Sequence, residues 1–176
     1  TDRCRALMTE MDRRIGQYNT LLTWNRIFIE RTAGVGVLDR DTAFDWGITG
    51  PALRAAGVDW DVRRDEPYTV YPHLRFVVPV GHGTPEGERV GVLGDCWHRH
   101  WIRMLEMEQA VSLVRQCLDR IDSLPRPATL EEISAKIPRL LRPAAGEVYF
   151  RAENPRGELA FYLQSDGSTN PWRLRC

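Results

Sequence analysis

The sequence lacks an excess of charge of either sign, and it almost lacks lysine. The 24 basic and 24 acidic residues cancel, and Lys136 is the only lysine among them. A protein that binds nucleic acid is expected to carry a surplus of basic residues for the phosphates. The charge balance therefore argues against a nucleic-acid partner, while the ordinary apolar fraction of 43% predicts a folded globular chain.

Paired cysteines and long apolar runs are also missing. The four cysteines are far apart and form no C-x-x-C pair: Cys4, Cys96, Cys117 and Cys176. This spacing is poor for a zinc site or an iron–sulfur cluster, and reduced thiols of a cytoplasmic protein are expected instead. No apolar run approaches the ~20 residues of a membrane-spanning helix. A secretory signal and the dinucleotide fingerprint G-x-G-x-x-G are absent too.

Apolar spacings of three and four predict two long helices. The first is expected from about Thr9 to Arg31, and the second from an N-cap at Asp95 to about Asp122. Between them, Asp41 is predicted to cap a short helix over 42–46. A further short helix is expected at Thr49-Gly50-Pro51, with proline in the first turn.

Strand patterns occupy the middle and the end of the chain. Tyr68–Val78 is predicted as short extended segments broken by prolines, followed by a loop over Gly81–Leu93. A capping box at Thr129–Glu132 predicts another short helix. A hairpin is expected from Glu147 to Gln164, with a short strand after Pro171. The fold class is thus α+β and helix-dominated, with two long helices plus short antiparallel strands.

Four stretches of the chain carry motifs rich in glycine, proline and arginine. The first holds Leu21-Leu22-Thr23, Asn25-Arg26-Ile27, Glu30-Arg31-Thr32 and Gly34-Val35-Gly36-Val37. The second holds Gly47-Ile48-Thr49-Gly50-Pro51, Leu53-Arg54, Gly57, Trp60-Asp61-Val62-Arg63 and Pro67-Tyr68. The third holds Gly94-Asp95-Cys96, Arg99, Arg103 and Glu106-Met107. The fourth holds Pro155-Arg156-Gly157-Glu158, Tyr162-Leu163, Ser165-Asp166-Gly167, Pro171 and Arg173.

In this order and spacing, the stretches resemble the D subunit of NADH-quinone oxidoreductase, the quinone-module large subunit of respiratory complex I. The resemblance implies one domain over residues 1–176, the central part of a longer polypeptide, because the sequence starts inside a helical pattern and stops after strand-like residues. The large subunit of nickel-iron hydrogenases shares this fold family. It holds its metal with two C-x-x-C pairs, and neither pair is present in this sequence.

The resemblance also implies a function and partners. The chain would contribute to the quinone-reducing module of a proton-translocating complex that uses NAD, peripheral on the cytoplasmic side of the inner membrane. Electrons would come from an iron–sulfur cluster in the neighbouring B subunit, and the C subunit and the membrane-arm H subunit would be further partners. The quinone-binding His and Tyr of the family lie upstream of the matching segment. The isolated chain is therefore expected to bind no cofactor or metal and to be inactive.

Four residues are candidates for the chemistry. Arg156 lies in a turn that the resemblance places near the quinone cavity, where a guanidinium polarises a quinone oxygen or holds carboxylates. Its structural alternative is pairing with Glu153 or Glu158. These two acids are themselves candidate proton-relay carboxylates, with salt-bridged surface acids as the alternative. Asp166 is either part of the site or an Asx-turn before Gly167.

Other polar pairs are given structural interpretations. Asp95 and Arg99 are spaced for an ion pair on one helix face. His98 and His100 point to different sides of that helix, so they are not predicted to bind one metal ion. Two further functions stay open: an interaction scaffold without chemistry, and a piece of a membrane-bound hydrogenase large subunit.

Overall fold

The two longest helices of the described chain run antiparallel and form the apolar core of the fold. The computed structural model describes residues 1–81, 90–125, 136 and 138–176. The helices are α1 (Asp2–Tyr18), α2 (Arg26–Thr32), α3 (Arg40–Asp45), α4 (Gly50–Ala55), α5 (Val62–Asp65) and α6 (Cys96–Ser123). A π-helical turn covers Asn19–Thr23, and a 3-10 turn covers Tyr71–His73. The strands are β1 (Gly146–Asn154), β2 (Gly157–Ser165) and β3 (Arg173–Arg175).

The core lies between α1 and the N-terminal half of α6. Its buried members are Ile15, Trp97, Trp101, Met104 and Val111. Exposed ion pairs such as Arg5–Asp122 and Arg115–Asp12 join the outer turns of the two helices, but pairs of this kind add little stability. The apolar contacts therefore hold the helices together. None of the helices within the described residues is long and apolar enough to cross a membrane.

The first long helix is interrupted, so the continuous helix predicted from Thr9 to Arg31 is wrong. It begins earlier, at Asp2, and changes to the π-helical turn after Tyr18. The indole of Trp97 donates to the carbonyl of Thr23 over 3.1 Å. Asn25 then accepts from the amide of Ile27 over 2.9 Å and caps α2. The helix breaks here because the Thr23 carbonyl accepts from Trp97 instead of from the next turn of helix, and because Asn25 caps a new helix.

Two smaller sequence predictions also change. Asp39, not Asp41, caps α3, because its carboxylate accepts from both the amide and the hydroxyl of Thr42 over 2.8 Å. Tyr68–Val78 forms no strand within the sheet. Val77 instead donates its amide to Gln109 of α6 over 3.0 Å, so a side chain takes the place of a neighbouring strand.

The antiparallel sheet confirms the predicted hairpin and third strand. Its order is β1-β2-β3, and the turn between β1 and β2 contains only Pro155 and Arg156. Together with the helices this is the predicted α+β class. Residues 82–89 of the predicted loop and the predicted capping box at Thr129–Glu132 lie outside the described residues.

Asp95 caps α6 as predicted, but it does not pair with Arg99. Its buried carboxylate accepts from the amides of Gly34, Val92 and His98 over 2.7–2.9 Å. Burial opposes its charge, yet these amides outweigh burial and lower its pKa. Arg99 donates to the carbonyl of Gly36 over 2.9 Å instead. The cap thus ties α6 to the loop after α2.

The hairpin turn docks on the start of α4 through two glycines. A Cβ on Gly50 would lie 2.8 Å from the amide nitrogen of Gly157, and one on Gly157 would lie 2.6 Å from Oγ1 of Thr49. The hydroxyl of Thr49 also accepts from the amide of Glu158 over 2.9 Å. Both glycines have positive φ, of +66° and +140°. The motifs around residues 50 and 157 are therefore the two halves of one close backbone contact.

We expect Gly50→Ala to destabilise the chain by about 2–4 kcal/mol, because the methyl group meets backbone atoms that cannot move aside. Gly47→Ala is the matched control: φ there is +61° but no described atom lies within 4 Å, so only the backbone strain of about 1 kcal/mol is expected. Gly16→Ala on α1 should stabilise by ~0.5–1 kcal/mol. Urea unfolding measures all three, and equal losses for the first two variants would disprove the close contact.

Candidate functional site

A buried arginine joins the helical part of the fold to the hairpin. The Arg54 side chain on α4 is 1% exposed. Its Nε donates to Glu106 of α6 over 2.9 Å, and its Nη2 donates to Glu153 of β1 over 2.8 Å. Its Nη1 donates to the carbonyl of Trp60 over 3.0 Å. Burial opposes the charge of Arg54, but the carboxylates outweigh burial and raise its pKa, so it stays cationic.

Asp61 supplies a third carboxylate to this cluster. Its Oδ2 lies 3.4 Å from Nη1 of Arg54, and its side chain is fully buried. It binds Arg63 through two hydrogen bonds, of 2.9 and 2.6 Å, and caps α5 by accepting from the Arg63 amide. The guanidinium of Arg63 also lies 5.2 Å from the ring centroid of Phe76. Asp61 is thus held between two arginines.

Glu153 differs from the other two acids of the cluster. Its side chain is only 5% exposed, and Oε1 accepts from Arg54. Its other oxygen, Oε2, is buried without a hydrogen-bond partner among the described residues. Burial raises the pKa of Glu153, against the attraction of Arg54. The Glu153 amide donates to the Tyr68 hydroxyl over 3.0 Å, which fixes the backbone at this point.

A cavity of about 420 Å³ adjoins the cluster. Its walls come from α4, α5, the 3-10 turn, α6 and the hairpin. They are formed by Arg54, Arg63, Tyr71, Arg103, Glu106, Met107, Ala110, Glu153, Asn154 and Pro155. The cavity borders both glutamates that share Arg54. Small molecules in the cavity, such as water, therefore lie next to the buried charges.

Glu158 belongs to a second network on the neighbouring strand. Its Oε1 accepts from the indole nitrogen of Trp60 over 2.9 Å, and its Oε2 accepts from Arg151 over 3.1 Å. The Arg151 guanidinium lies 5.5 Å from the ring centroid of Trp60. Glu158 is therefore salt-bridged, which was the structural alternative for this residue.

Arg156 and Asp166 lie apart from both networks. Arg156 is exposed at the hairpin turn, and its amide donates to Asn154 over 3.3 Å. Its predicted alternative, pairing with Glu153 or Glu158, is wrong, because those acids bind Arg54 and Arg151. Asp166 is exposed and accepts from the amide of Ser168 over 2.9 Å, an Asx-turn that lowers its pKa.

The sequence prediction missed the other members of the cluster around Glu153. These are Arg54, Asp61, Arg63 and Glu106. All four lie inside the motif stretches, so the motifs were the available signal, but 99 positions separate Arg54 from Glu153. Local spacing carries no information on that contact, and only the docking of the hairpin on α4 brings the groups together.

The two histidines of α6 have separate partners. Nδ1 of His98 lies 2.9 Å from Asp95, and Nε2 of His100 lies 3.0 Å from the hydroxyl of Thr23. Burial lowers the pKa of His100, with a contribution from Arg103. Across the residues that the structure describes, no three His, Cys, Asp or Glu side chains are grouped to hold a metal ion.

We expect Arg54→Met to destabilise the chain by about 3–5 kcal/mol at neutral pH, because it leaves buried carboxylates without their cation. Without the attraction of Arg54, burial raises the folded-state pKa of Glu153 further above its unfolded value. The loss is therefore full at pH values above that raised pKa, shrinks as pH falls through it, and is smallest below about 4, where the unfolded acid is protonated too.

Arg64→Met is the matched control for this experiment. Arg64 pairs with Asp59 and Asp65 at the surface, where a loss of ~1 kcal/mol or less is expected. Urea unfolding between acid and neutral pH measures both variants. If the stability that Arg54→Met loses does not change with pH, the loss does not come from the buried carboxylates.

Comparison with known proteins identifies the family of the chain. The family model of the respiratory-chain NADH dehydrogenase 49 kDa subunit matches residues 1–176. The NADH-quinone oxidoreductase D subunit of Chlorobium phaeovibrioides is 50% identical over 157 residues, which are 89% of this chain and 36% of that protein. The second NADH-quinone oxidoreductase D subunit of Anaeromyxobacter dehalogenans is 42% identical over 174 residues, which are 99% of this chain and 43% of that protein.

A solved structure has the same fold. A chain of the membrane-bound sulfane sulfur reductase, an archaeal respiratory membrane complex, superposes with a TM-score of 0.81 at 30% identity. The match covers 99% of this chain and 44% of that one. This chain thus spans less than half the length of these relatives. With the family model matched from end to end, the chain belongs to the 49 kDa subunit family of respiratory-chain NADH dehydrogenase, the family of the NADH-quinone oxidoreductase D subunits.

Proposed function

We propose that this chain works in the quinone-reducing module of a proton-translocating NADH-quinone oxidoreductase. The observation that carries the proposal is the match of the family model over residues 1–176, together with relatives named as D subunits of NADH-quinone oxidoreductase. The fold adds support, because motif residues that are far apart in the sequence are in contact. Gly50 lies against Gly157, and Arg54 on the same short helix bonds to Glu106. Residues 1–176 act as one domain within a longer polypeptide.

Arg156 is the residue proposed to act nearest the quinone. Its backbone is held by a two-residue turn whose next residue, Gly157, sits against Thr49. Its side chain is exposed, so its guanidinium is available to a molecule outside this chain. A permanently charged donor on a rigid turn is suited to polarise a quinone oxygen as negative charge develops there.

The three acids have different parts in the proposal. Glu153 is the strongest candidate for proton relay, because it is buried and one of its oxygens lacks a partner within the described part of the chain. Glu158 is a weaker candidate, since Arg151 and Trp60 stabilise its charged form. Asp166 contributes a turn near the end of β2, and a role for it in catalysis stays a prediction.

The chain is proposed to work with other subunits. The electrons would come from an iron–sulfur cluster in the neighbouring B subunit, with the C subunit and the membrane-arm H subunit as further partners. NAD would be used elsewhere in the complex, and the chain would lie peripherally on the cytoplasmic side of the inner membrane. Its exposed apolar residues support contacts of this kind, among them Leu21, Leu22, Trp24, Ile27, Trp46 and Trp172.

We expect Arg156→Ala in the assembled complex to lower quinone turnover by about tenfold or more, because it removes a charged donor from the developing negative charge. Arg156→Lys should restore part of the rate, since it keeps the charge but not the planar fork. Turnover is measured with NADH as the electron donor, beside the amount of the chain recovered in the complex.

Arg14→Ala is the matched control, an exposed arginine on α1 that pairs with Glu10. It should leave turnover unchanged. If Arg156→Ala assembles normally and keeps normal turnover, Arg156 has no part in the reaction. The second candidate function, an interaction scaffold without chemistry, would then be favoured, and the exposed apolar residues are the observation that supports it.

A further inference from the structure

The buried cluster holds more negative than positive charge. Arg54 and Arg63 contribute two cations, and Asp61, Glu106 and Glu153 contribute three anions when all are ionised. Two positive and three negative charges leave a net charge of −1. A buried group without a compensating charge is expensive, so a cluster of this kind gains stability by binding one proton.

Glu153 is the acid to which the geometry assigns that proton. Asp61 has two bonds to Arg63 as well as the backbone amide of α5. Glu106 keeps a 2.9 Å bond to Nε of Arg54, and its side chain is 15% exposed. Glu153 has one bonded oxygen and one buried oxygen to which no described residue donates. An ionised Oε2 would be left uncompensated, whereas a protonated Oε2 carries no charge.

The surroundings of Glu153 include charged groups from every element packed against it. They are Arg54 of α4, Asp61 and Arg63 at α5, the titratable Tyr68 and Tyr71 of the following segment, Arg103 and Glu106 of α6, and Glu158 of β2, which lies opposite Glu153 in the hairpin. Arg54 and Arg63 favour the ionised form of Glu153, while Asp61 favours the protonated form. Burial also favours the protonated form and outweighs the arginines, so the pKa of Glu153 is raised.

The cavity beside Glu153 can hold the water that supplies and accepts the proton. Glu153 itself lines the cavity of about 420 Å³, together with Arg54, Glu106, Asn154 and Pro155. A space of this size, bordered by charged side chains, admits several water molecules. Water in it would exchange protons with a carboxyl group of the wall.

We propose that Glu153 is a proton-binding site, whose buried Oε2 carries one proton while Oε1 stays bound to Arg54, and that this proton exchanges with water in the cavity that Glu153 lines. On release, the O–H bond breaks, its electron pair stays on the carboxylate and the proton passes to water. No group is oxidised or reduced. Arg54 is the partner that sets the proton affinity, because its Nη2 donates to both Glu153 and Glu106.

The use of this proton rests on the proposed function. Reduction of a quinone to a quinol consumes protons as well as electrons, and Glu153 lies three residues before Arg156 on the same hairpin. A proton held at Glu153 is therefore close to the turn at which quinone chemistry is proposed. The binding of the proton itself does not depend on that chemistry and is measured separately.

The test is an infrared titration of the assembled complex. Difference spectra between wild type and Glu153→Gln are recorded across the pH range, in H₂O and in D₂O. We expect the C=O band of a protonated carboxyl group, shifted in D₂O, with a midpoint above the ordinary pKa of glutamate. Glu158→Gln is the matched control on the same hairpin, where the acid is paired with Arg151, and this variant should keep the carboxyl band.

Glu106→Gln gives a second measurement that does not require the Glu153 variant to assemble. It leaves Glu153 as the only glutamate bonded to Arg54 within the cluster, beside Asp61, so the midpoint of the carboxyl band should move to lower pH. The proposal is overturned if Glu153 titrates at the ordinary value, or if the band keeps its midpoint in Glu106→Gln. Loss of turnover in Arg156→Ala has no bearing on either result, so failure here and failure of the proposed function are distinguishable.

Discussion

The contact of Arg54 with Glu106 and Glu153 is the interaction on which the arrangement of the described residues depends. One guanidinium on a six-residue helix bonds to the long helix and to the first strand at the same time. Its side chain is only 1% exposed, so the guanidinium is almost entirely surrounded by protein. Removing the cation leaves the acids buried, which costs more than the ion pair contributes when it is intact. The hairpin is thus joined to the helices by a buried ion pair as well as by the close contact of Gly50 with Gly157.

The same contact requires the close approach of Gly50 and Gly157. Glu153 reaches Arg54 only when the hairpin turn lies against the start of α4, and Gly50 and Gly157 allow that approach. Thr49 adds a bond to the Glu158 amide, so the backbone is positioned on both sides of the turn. A consequence is that Arg156 occupies a fixed place while its side chain stays exposed. The fold combines a rigid backbone with an exposed guanidinium, which is the arrangement that the proposed quinone chemistry requires.

Sequence reasoning succeeded where the signal is local. The N-cap at Asp95 and the hairpin from Glu147 to Gln164 follow from neighbouring residues, and both are present. It failed where a distant partner decides the structure. The first helix breaks where Trp97 takes the carbonyl of Thr23, and Tyr68–Val78 remains outside the sheet because Gln109 binds its backbone. In each case a side chain on α6 competes with the local preference of the chain.

By itself the sequence determined the fold class, through the periodicity of its apolar residues, and the family, through the order and spacing of its motifs. Both signals depend only on residues that are near one another in the sequence or on their order along it. It also marked Glu153 as a candidate acid. Only the tertiary structure decided that Glu153 shares Arg54 with Glu106, that one of its oxygens is buried with no partner in the described ranges, and that Glu158 is paired elsewhere. The physical reason is that burial and pairing control the proton affinity of a carboxyl group, and both arise from contacts between residues far apart in the chain.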